Sequence, residues 1–264
     1  MTNLINEIVE KRKSLLFKDV EELKKLEKHR PKDDRKTLSS NIKSKSEISL
    51  ISEIKPASPT AGILRDNINI EEMAKEMESA GVIGLSILTE PNYFKGSYEN
   101  LRLAIESTYL PCLMKDFIID EVQFKIARQL GATNILLINS IGNLEQLHQL
   151  SIKYKIEPLI EIHRLEEIDD IKCLIEIGMR PKLIGVNNRD LQTLKVDLNT
   201  SKIIIPKLKE EFGNNIKIIS ESGINTFEDI KFLLSCKADA FLIGSAIMKS
   251  NNIKEKILSL RGLP

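Results

Sequence analysis

The sequence predicts an α/β protein, a closed (β/α)8 TIM barrel with an N-terminal helical extension, and three observations predict it. Eight short apolar runs of the buried-strand kind follow one another from residue 48 to residue 244. Amphipathic stretches of helical period separate them. The strict alternation, with strands apolar on both faces, calls for a parallel sheet covered by helices. Eight such units in succession close a barrel. An open doubly wound sheet would normally carry a G-x-G-x-x-G turn after its first strand. Here that turn reads Pro56-Ala-Ser-Pro-Thr-Ala-Gly62 and does not match.

The chain divides at residue 47. Residues 2–28 read as helix, with Leu4, Ile5, Ile8 and Val9 at helical spacing, then Leu15, Leu16, Val20, Leu23 and Leu26, and a break near Asp19. Residues 29–47 are polar and charged and read as a solvated connecting loop. Residues 1–47 thus form the extension, and 48–264 the barrel. The strands are expected at 48–54, 82–88, 110–115, 134–138, 156–162, 182–187, 216–220 and 240–244. Helices are expected at 70–81, 120–132, 143–155, 164–178 and 226–238, among others. Gly81, Gly131 and Gly178 mark helix ends. Asp120 marks a helix start, and Asn225-Thr-Phe-Glu228 resembles a capping box.

Composition narrows the function. The chain has 264 residues, is 42% hydrophobic and 29% charged, and carries a net charge of only +1. A nucleic-acid partner is not expected, because such binders show a basic patch and a high pI. No apolar run approaches a membrane span, and MTNLINEIVEKRKSLL is too polar for a secretory signal. Cys112, Cys173 and Cys236 lie far apart, which fits a reducing cytoplasm and small buried or half-buried apolar roles rather than a zinc site or disulfides. His29 and His148 read as surface residues.

In such barrels the chemistry sits at the C-terminal strand ends. The first strand ends in Glu53 and Lys55, two apart and so on one face, followed by Ser58. The third ends in Lys115-Asp116-Phe117, the fifth in Glu161 and His163, the sixth in Asn187-Asn-Arg-Asp190 and the seventh in Ser220-Glu221-Ser222-Gly223. One such acid–base pair also suits a solvated edge. Lysines and glutamates ending several buried strands at one end point to an active-site rim, since such residues are rarely buried unpaired. Ser222-Gly223 and Gly244-Ser245 follow the last two strands and let backbone amides approach an anion, which points to a phosphorylated ligand.

Taken in order, ISEIKPASPTAGIL, LSILTEPNYFKGSYENL, PCLMKDFIID, LIEIH, IGVNNRDLQTLKVDLNTS, ISESGI and LIGSAIM resemble the motifs of the indole-3-glycerol phosphate synthase family. The resemblance covers nearly the whole chain and includes the helical extension, which in that family lies over the open face of the barrel. It departs at Pro56, where a basic residue is common, and at Thr60-Ala61, where Ser-Lys is common. Thr60 keeps the hydroxyl; Ala61 lacks the charge.

The resemblance implies a reaction. In it, 1-(2-carboxyphenylamino)-1-deoxyribulose 5-phosphate closes its ring, loses carbon dioxide and then water, and gives indole-3-glycerol phosphate in tryptophan biosynthesis. No cofactor and no metal are implied. It assigns Lys115, with Lys55 beside it, as proton donor to the ketone oxygen, and Glu161 as general base or acid partner. Glu53 orients the lysines, and Glu221 is a further catalytic or positioning carboxylate. Asn187 and Ser58 contact the anthranilate part, Arg189 the carboxylate, and Ser222, Gly223, Gly244 and Ser245 the phosphate. Phe94 and Phe117 are candidates for an apolar wall around the aromatic ring; Leu136 reads as core, His163 as a hydrogen-bonded structural histidine and Asp190 as a brace for the loop after the sixth strand.

Two other classes fit parts of the pattern. A phosphoribosyl isomerase shares the phosphate ends but would use a Cys/Asp-type acid–base pair. A non-catalytic phosphometabolite-binding barrel has no need of converging lysines and glutamates. The expected state is a cytoplasmic monomer or weak homodimer with a small phosphorylated substrate, no nucleic acid and no membrane; association with neighbouring tryptophan-pathway enzymes stays open.

Overall fold

The computed structural model describes residues 4–26, 35–42 and 47–264. Eight parallel strands close into a barrel. They are β1 (Leu50–Ile54), β2 (Gly84–Leu88), β3 (Cys112–Lys115), β4 (Asn134–Ile138), β5 (Glu157–Ile162), β6 (Leu183–Asn187), β7 (Lys217–Glu221) and β8 (Ala240–Ile243). Each strand pairs with its neighbours in the chain, and β8 returns to β1 with Leu50 opposite Phe241. All eight predicted runs are strands, trimmed by up to two residues; β7 runs one residue further, to Glu221.

Period-two alternation decides which way each residue faces. Leu50 and Ile54 pack outward with Met114, Leu137 and Val186 against the helices. Ile51 packs inward with Leu113, Leu159, Leu183, Ile219 and Leu242. The inner stack fills the lower barrel, and the same inward parity carries Glu53, Lys115, Glu161 and Glu221 to its upper end.

Between the strands stand α4 (Ile70–Ser79), α5 (Tyr98–Ser107), α6 (Glu121–Leu130), α7 (Leu144–Tyr154), α8 (Glu167–Glu176), α9 (Asn199–Phe212) and α10 (Phe227–Ser235); α11 (Ser245–Met248) and α12 (Ile253–Leu260) follow β8. Asp120 caps α6 in a full capping box with Gln123, and Gly131 ends it at φ +92°, where a side chain would be strained. The second box pairs Thr226 with Asp229, one residue beyond the expected Glu228, because the third helical position falls there. The helix expected from residue 164 begins at Glu167, since Glu167 Oε2 accepts from the backbone N–H of both His163 and Arg164 and holds them in a turn.

The extension differs more from the expectation. It forms α1 (Leu4–Lys13), α2 (Leu16–Lys25) and α3 (Leu38–Asn41). The break falls at Ser14–Leu15 instead of Asp19, because Asp19 is buried against Arg12. The expected loose linker holds α3, whose Leu38 is fully buried. Leu38 N–H donates to Asn134 Oδ1 at 3.0 Å, Asn134 Nδ2 to Glu157 Oε1 at 2.9 Å, and Asn41 Nδ2 to the Ile83 carbonyl at 3.0 Å. All three acceptors lie at the N-terminal strand ends, so α3 stops the lower end of the barrel. Gly84 accommodates it: a Cβ there would meet Leu38 Cδ2 at 2.3 Å.

His148 is buried in α7, against expectation, because it shares the inward face with Leu144 and Ser151. Cys173 is exposed, on the outer face of α8, whereas Cys112 and Cys236 are buried. His29 and the ends of the first predicted helix lie outside the described residues. No helix among the described residues is long and apolar enough to cross a membrane.

Candidate active site

A cavity of about 490 Å³ opens at the C-terminal ends of the strands. Every candidate residue except Glu221 lines it: Glu53, Lys55, Ser58, Phe94, Lys115, Phe117, Glu161, Asn187, Arg189, Ser222, Gly223, Gly244 and Ser245. Glu221 stands immediately behind Lys115.

Lys115 Nζ lies 2.7 Å from Glu221 Oε2, 3.5 Å from Glu53 Oε2 and 3.8 Å from Glu161 Oε2. Lys55 Nζ lies 2.8 Å from Glu53 Oε1. Two ammonium groups and three carboxylates from four strands, β1, β3, β5 and β7, therefore meet in one cluster. Burial works against a charged Lys115, but the three carboxylates outweigh it and raise its pKa. Burial likewise opposes a charged Glu53; Lys55 and Lys115 overcome it and hold that carboxyl below its usual range. Glu161 is also held low, its desolvation offset by His163 and Lys115. Glu221 goes the other way, to about 7, through burial and the repulsion of Glu161 against the pull of Lys115. Of these carboxylates it is the one that holds a proton near neutrality.

Two glycines make room for the cluster. A Cβ on Gly185 would stand 2.1 Å from Glu221 Oε1, and one on Gly244 would stand 2.4 Å from Glu53 Oε1. A glycine inside a strand marks such a close approach. Gly185→Ala is expected to displace the Glu221 carboxylate from Lys115 and lower kcat by about 10- to 100-fold, since a misplacement near 1 Å can cost that much. The far-ultraviolet circular dichroism should not change. Steady-state turnover of the variant checks this, and an unchanged kcat would mean Glu221 shifts without consequence.

The wall next to the cluster is rich in backbone amides. Ser222 and Gly223 both adopt positive φ, +65° and +82°. For serine this is uncommon, and such strain clusters at functional sites. Asn188, fully buried, fixes the turn: its Nδ2 donates to the carbonyls of Glu221 and Ser222 at 2.9 and 3.0 Å and to Ser220 Oγ at 3.0 Å. Gly244 and Ser245 open α11 beside it. Arg189 reaches the cavity half-buried, with Nη1 donating to the Leu194 carbonyl at 3.0 Å. Asp190 Oδ1 accepts from the backbone N–H of Gln192 and Thr193, which folds the β6–α9 loop.

The third wall is apolar. Phe94 and Phe117 rings lie 6.3 Å apart between centroids. Leu136, expected in the core, also lines the cavity, as do Leu4, Ile5 and Ile8 of α1 and Leu191, Leu194 and Val196. Buried Glu90 shapes the Phe94 loop by accepting from the backbone N–H of Asn92, Tyr93 and Phe94. After β1, Ala57–Ser58 and Gly62–Ile63 pair as a small antiparallel hairpin. Sequence reasoning missed Gly185, Asn188 and Glu90; the resemblance placed the extension over the open face, where α1 lies, but singled out none of its residues. Gly185 alone left a signal, as the glycine inside an otherwise apolar run.

A family model described as indole-3-glycerol phosphate synthase matches residues 5–260. The indole-3-glycerol phosphate synthase of Methanocaldococcus jannaschii is 41% identical over 256 residues, covering 94% of this chain and 92% of that one. That of Acetivibrio thermocellus is 36% identical over 272 residues, covering 98% and 100%, and that of Aquifex aeolicus 43% over 216 residues, covering 81% of each. Among solved structures, orotidine 5'-monophosphate decarboxylase from Sulfolobus solfataricus superposes with a TM-score of 0.59 at 16% identity, over 82% of this chain and 97% of the other. Thiamine phosphate pyrophosphorylase from Pyrococcus furiosus gives 0.60 at 15%, over 83% and 96%. At that identity the likeness is one of fold alone.

Proposed function

The chain belongs to the indole-3-glycerol phosphate synthase family, and from that premise we propose how its residues divide the work of the family's ring closure, decarboxylation and dehydration. The small phosphorylated substrate lies with its phosphate on the amides of Ser222-Gly223 and Gly244-Ser245. Its anthranilate ring rests between Phe94, Phe117 and Leu136, with Asn187 and Ser58 as polar contacts. Arg189 takes the carboxylate, whose geometry a guanidinium fork matches.

Lys115, held protonated, donates to the ketone oxygen as the ring carbon attacks. Lys55, the second ammonium of the same wall, protonates the departing hydroxyl. Glu161 takes the proton that restores aromaticity. Glu53 bridges the lysines and stabilises positive charge on the intermediate, and Glu221 holds Lys115 in line. One observation carries this reading: two lysines and three glutamates from four strands meet beside an amide-rich wall, in a cavity that also has an aromatic side.

The test is direct. The purified chain, mixed with 1-(2-carboxyphenylamino)-1-deoxyribulose 5-phosphate, should release indole-3-glycerol phosphate, seen by indole fluorescence, and carbon dioxide in equal amounts. Saturable binding with no product would reject the assignment of roles. We take the protein to be cytoplasmic, since its three cysteines are free, and to act as a monomer or weak homodimer. The boundary at residue 47 is one of chain order, because Ile5, Ile8, Val9 and Leu38 pack into the barrel's inner cluster.

A further inference from the structure

Glu161 stands between two cavities. Its Oε2 lies 3.8 Å from Lys115 Nζ, at the main cavity. Its Oε1 lies 3.2 Å from Nε2 of His163. His163 does not line the main cavity. It lines a second one of about 130 Å³, with Asn6, Ser140, Arg164, Glu167 and Asp190. The imidazole is buried, and neither ring nitrogen makes a well-aligned hydrogen bond among the described residues; Nε2 has the close approach to Glu161, and Nδ1 has no partner. A buried orphan nitrogen on a residue that lines a polar hollow is a place for water.

The chemistry needs such a route. The substrate carboxylate leaves as neutral carbon dioxide and the hydroxyl leaves as water. One proton goes onto the ketone oxygen, one onto the departing hydroxyl, and one comes off the new ring to the base. Two are delivered and one is recovered, so each turnover takes up one proton from solvent while the substrate fills the main cavity.

We propose that His163 relays protons between water in the second cavity and the Glu161 carboxylate, so that the net proton enters behind the bound substrate. The proposal rests on the reading of Glu161 as the acid–base group, and it gives His163 a role beyond that of a structural histidine. The surroundings favour it. Glu161 on β5 touches the ring, Glu167 at the start of α8, Asp190 in the β6–α9 loop and Glu221 on β7 act on it electrostatically, and Arg164 lines the same cavity. Burial opposes a charged imidazole, but Glu161 and the other carboxylates outweigh it and raise its pKa. Imidazole is the side chain whose ordinary pKa lies nearest neutrality, which suits it to carry a proton in either direction.

The test compares His163→Asn with wild type across pH, using indole fluorescence and the full chain, with Glu161→Gln alongside. The relay predicts a kcat lowered about 10-fold near neutrality, modest beside ordinary acid–base contributions, with KM within about twofold. The deficit should grow as pH rises, and added imidazole should restore part of it. An unchanged kcat, or a loss uniform in pH and not relieved by imidazole, overturns the relay; the second outcome leaves His163 as a prop for Glu161. If Glu161→Gln keeps wild-type turnover, the underlying reading fails. If it abolishes turnover while His163→Asn is silent, only the relay fails. Should His163→Asn not fold, the nitrogen-15 signal of the wild-type ring decides: protonation that stays fixed between about pH 5.5 and 9 overturns the proposal.

Discussion

Lys115→Met is expected to lower kcat by about 10³-fold, within the range for loss of a positioned general acid, while the barrel still folds and substrate still binds. Methionine keeps much of the length and apolar stem of the side chain and removes the ammonium. The reacting ketone then has no proton donor on β3, and Lys55, tied to Glu53 at 2.8 Å, lies on another strand. Substrate affinity should fall far less, because the phosphate and carboxylate contacts come from other strands. Single-turnover fluorescence separates chemistry from binding. A variant that turns over within about tenfold of wild type would move the acid from Lys115 to Lys55.

The same substitution carries a pH signature. Without Lys115, Glu53, Glu161 and Glu221 lose a shared cation, and their folded-state pKa values rise. Above the unfolded carboxyl range of about 4.3, the folded variant then binds more protons than the unfolded chain. Its stability must rise as pH falls from about 8 to 6, where wild type changes less. Glu221, at about 7 with the lysine present, already leans this way. Thermal melts at several pH values read the effect; parallel slopes for the two proteins would mean that the cluster does not share Lys115 as its counter-ion.

The barrel was legible because its signal is local and repeated. Short apolar runs, glycine stops such as Gly131 and caps such as Asp120 depend on neighbours in the chain. Other features escaped because they depend on distant partners. The α9 helix carries Pro206 in its interior, which by itself argues against a helix. His148 is polar, and only its position on the α7 face buries it. Leu38 sits in a charged stretch whose composition says linker, yet the open lower end of the barrel gives that one side chain a place. In the site, charged strand ends could be read directly, since a lysine after an apolar run is conspicuous. The order of contact within the cluster could not. That Lys115 sits closest to Glu221 and that Gly185 and Gly244 leave space for two carboxylates are consequences of strand register, with Asn187 opposite Glu221 and Leu242 opposite Glu221; the meeting of Glu161 with His163, two residues on, is local and could be read.

Arg12→Met should cost about 3–5 kcal/mol of stability, the usual penalty for breaking a buried ion pair from one side. For a chain of this size that is a fall in Tm of roughly 6–20 °C. Arg12 is 2% exposed. Its Nε donates to Asp116 Oδ1 at 2.9 Å, and its Nη2 lies 2.8 Å from Asp19 Oδ2 and donates to Tyr98 Oη at 2.7 Å. Asp116 also accepts from Thr89 Oγ1 and Phe117 N–H at 2.8 Å each. Burial pushes both aspartates up, and Arg12 pulls them back. With Arg12 gone, two buried carboxylates face each other's network with no cation. Replacing Asp19 and Asp116 by asparagine in the same variant should recover much of the loss, which mere loss of packing around Arg12 would not allow. The position of the network gives it a second consequence. It joins α1, α2 and α5 to the residue next to Lys115, while Ile5 and Ile8 of α1 line the cavity. A melted anchor should therefore raise KM as well as lower Tm. A variant that loses stability yet keeps KM would show that α1 stays on the cavity without it, held by contacts such as Tyr93 Oη to Glu7 at 2.7 Å.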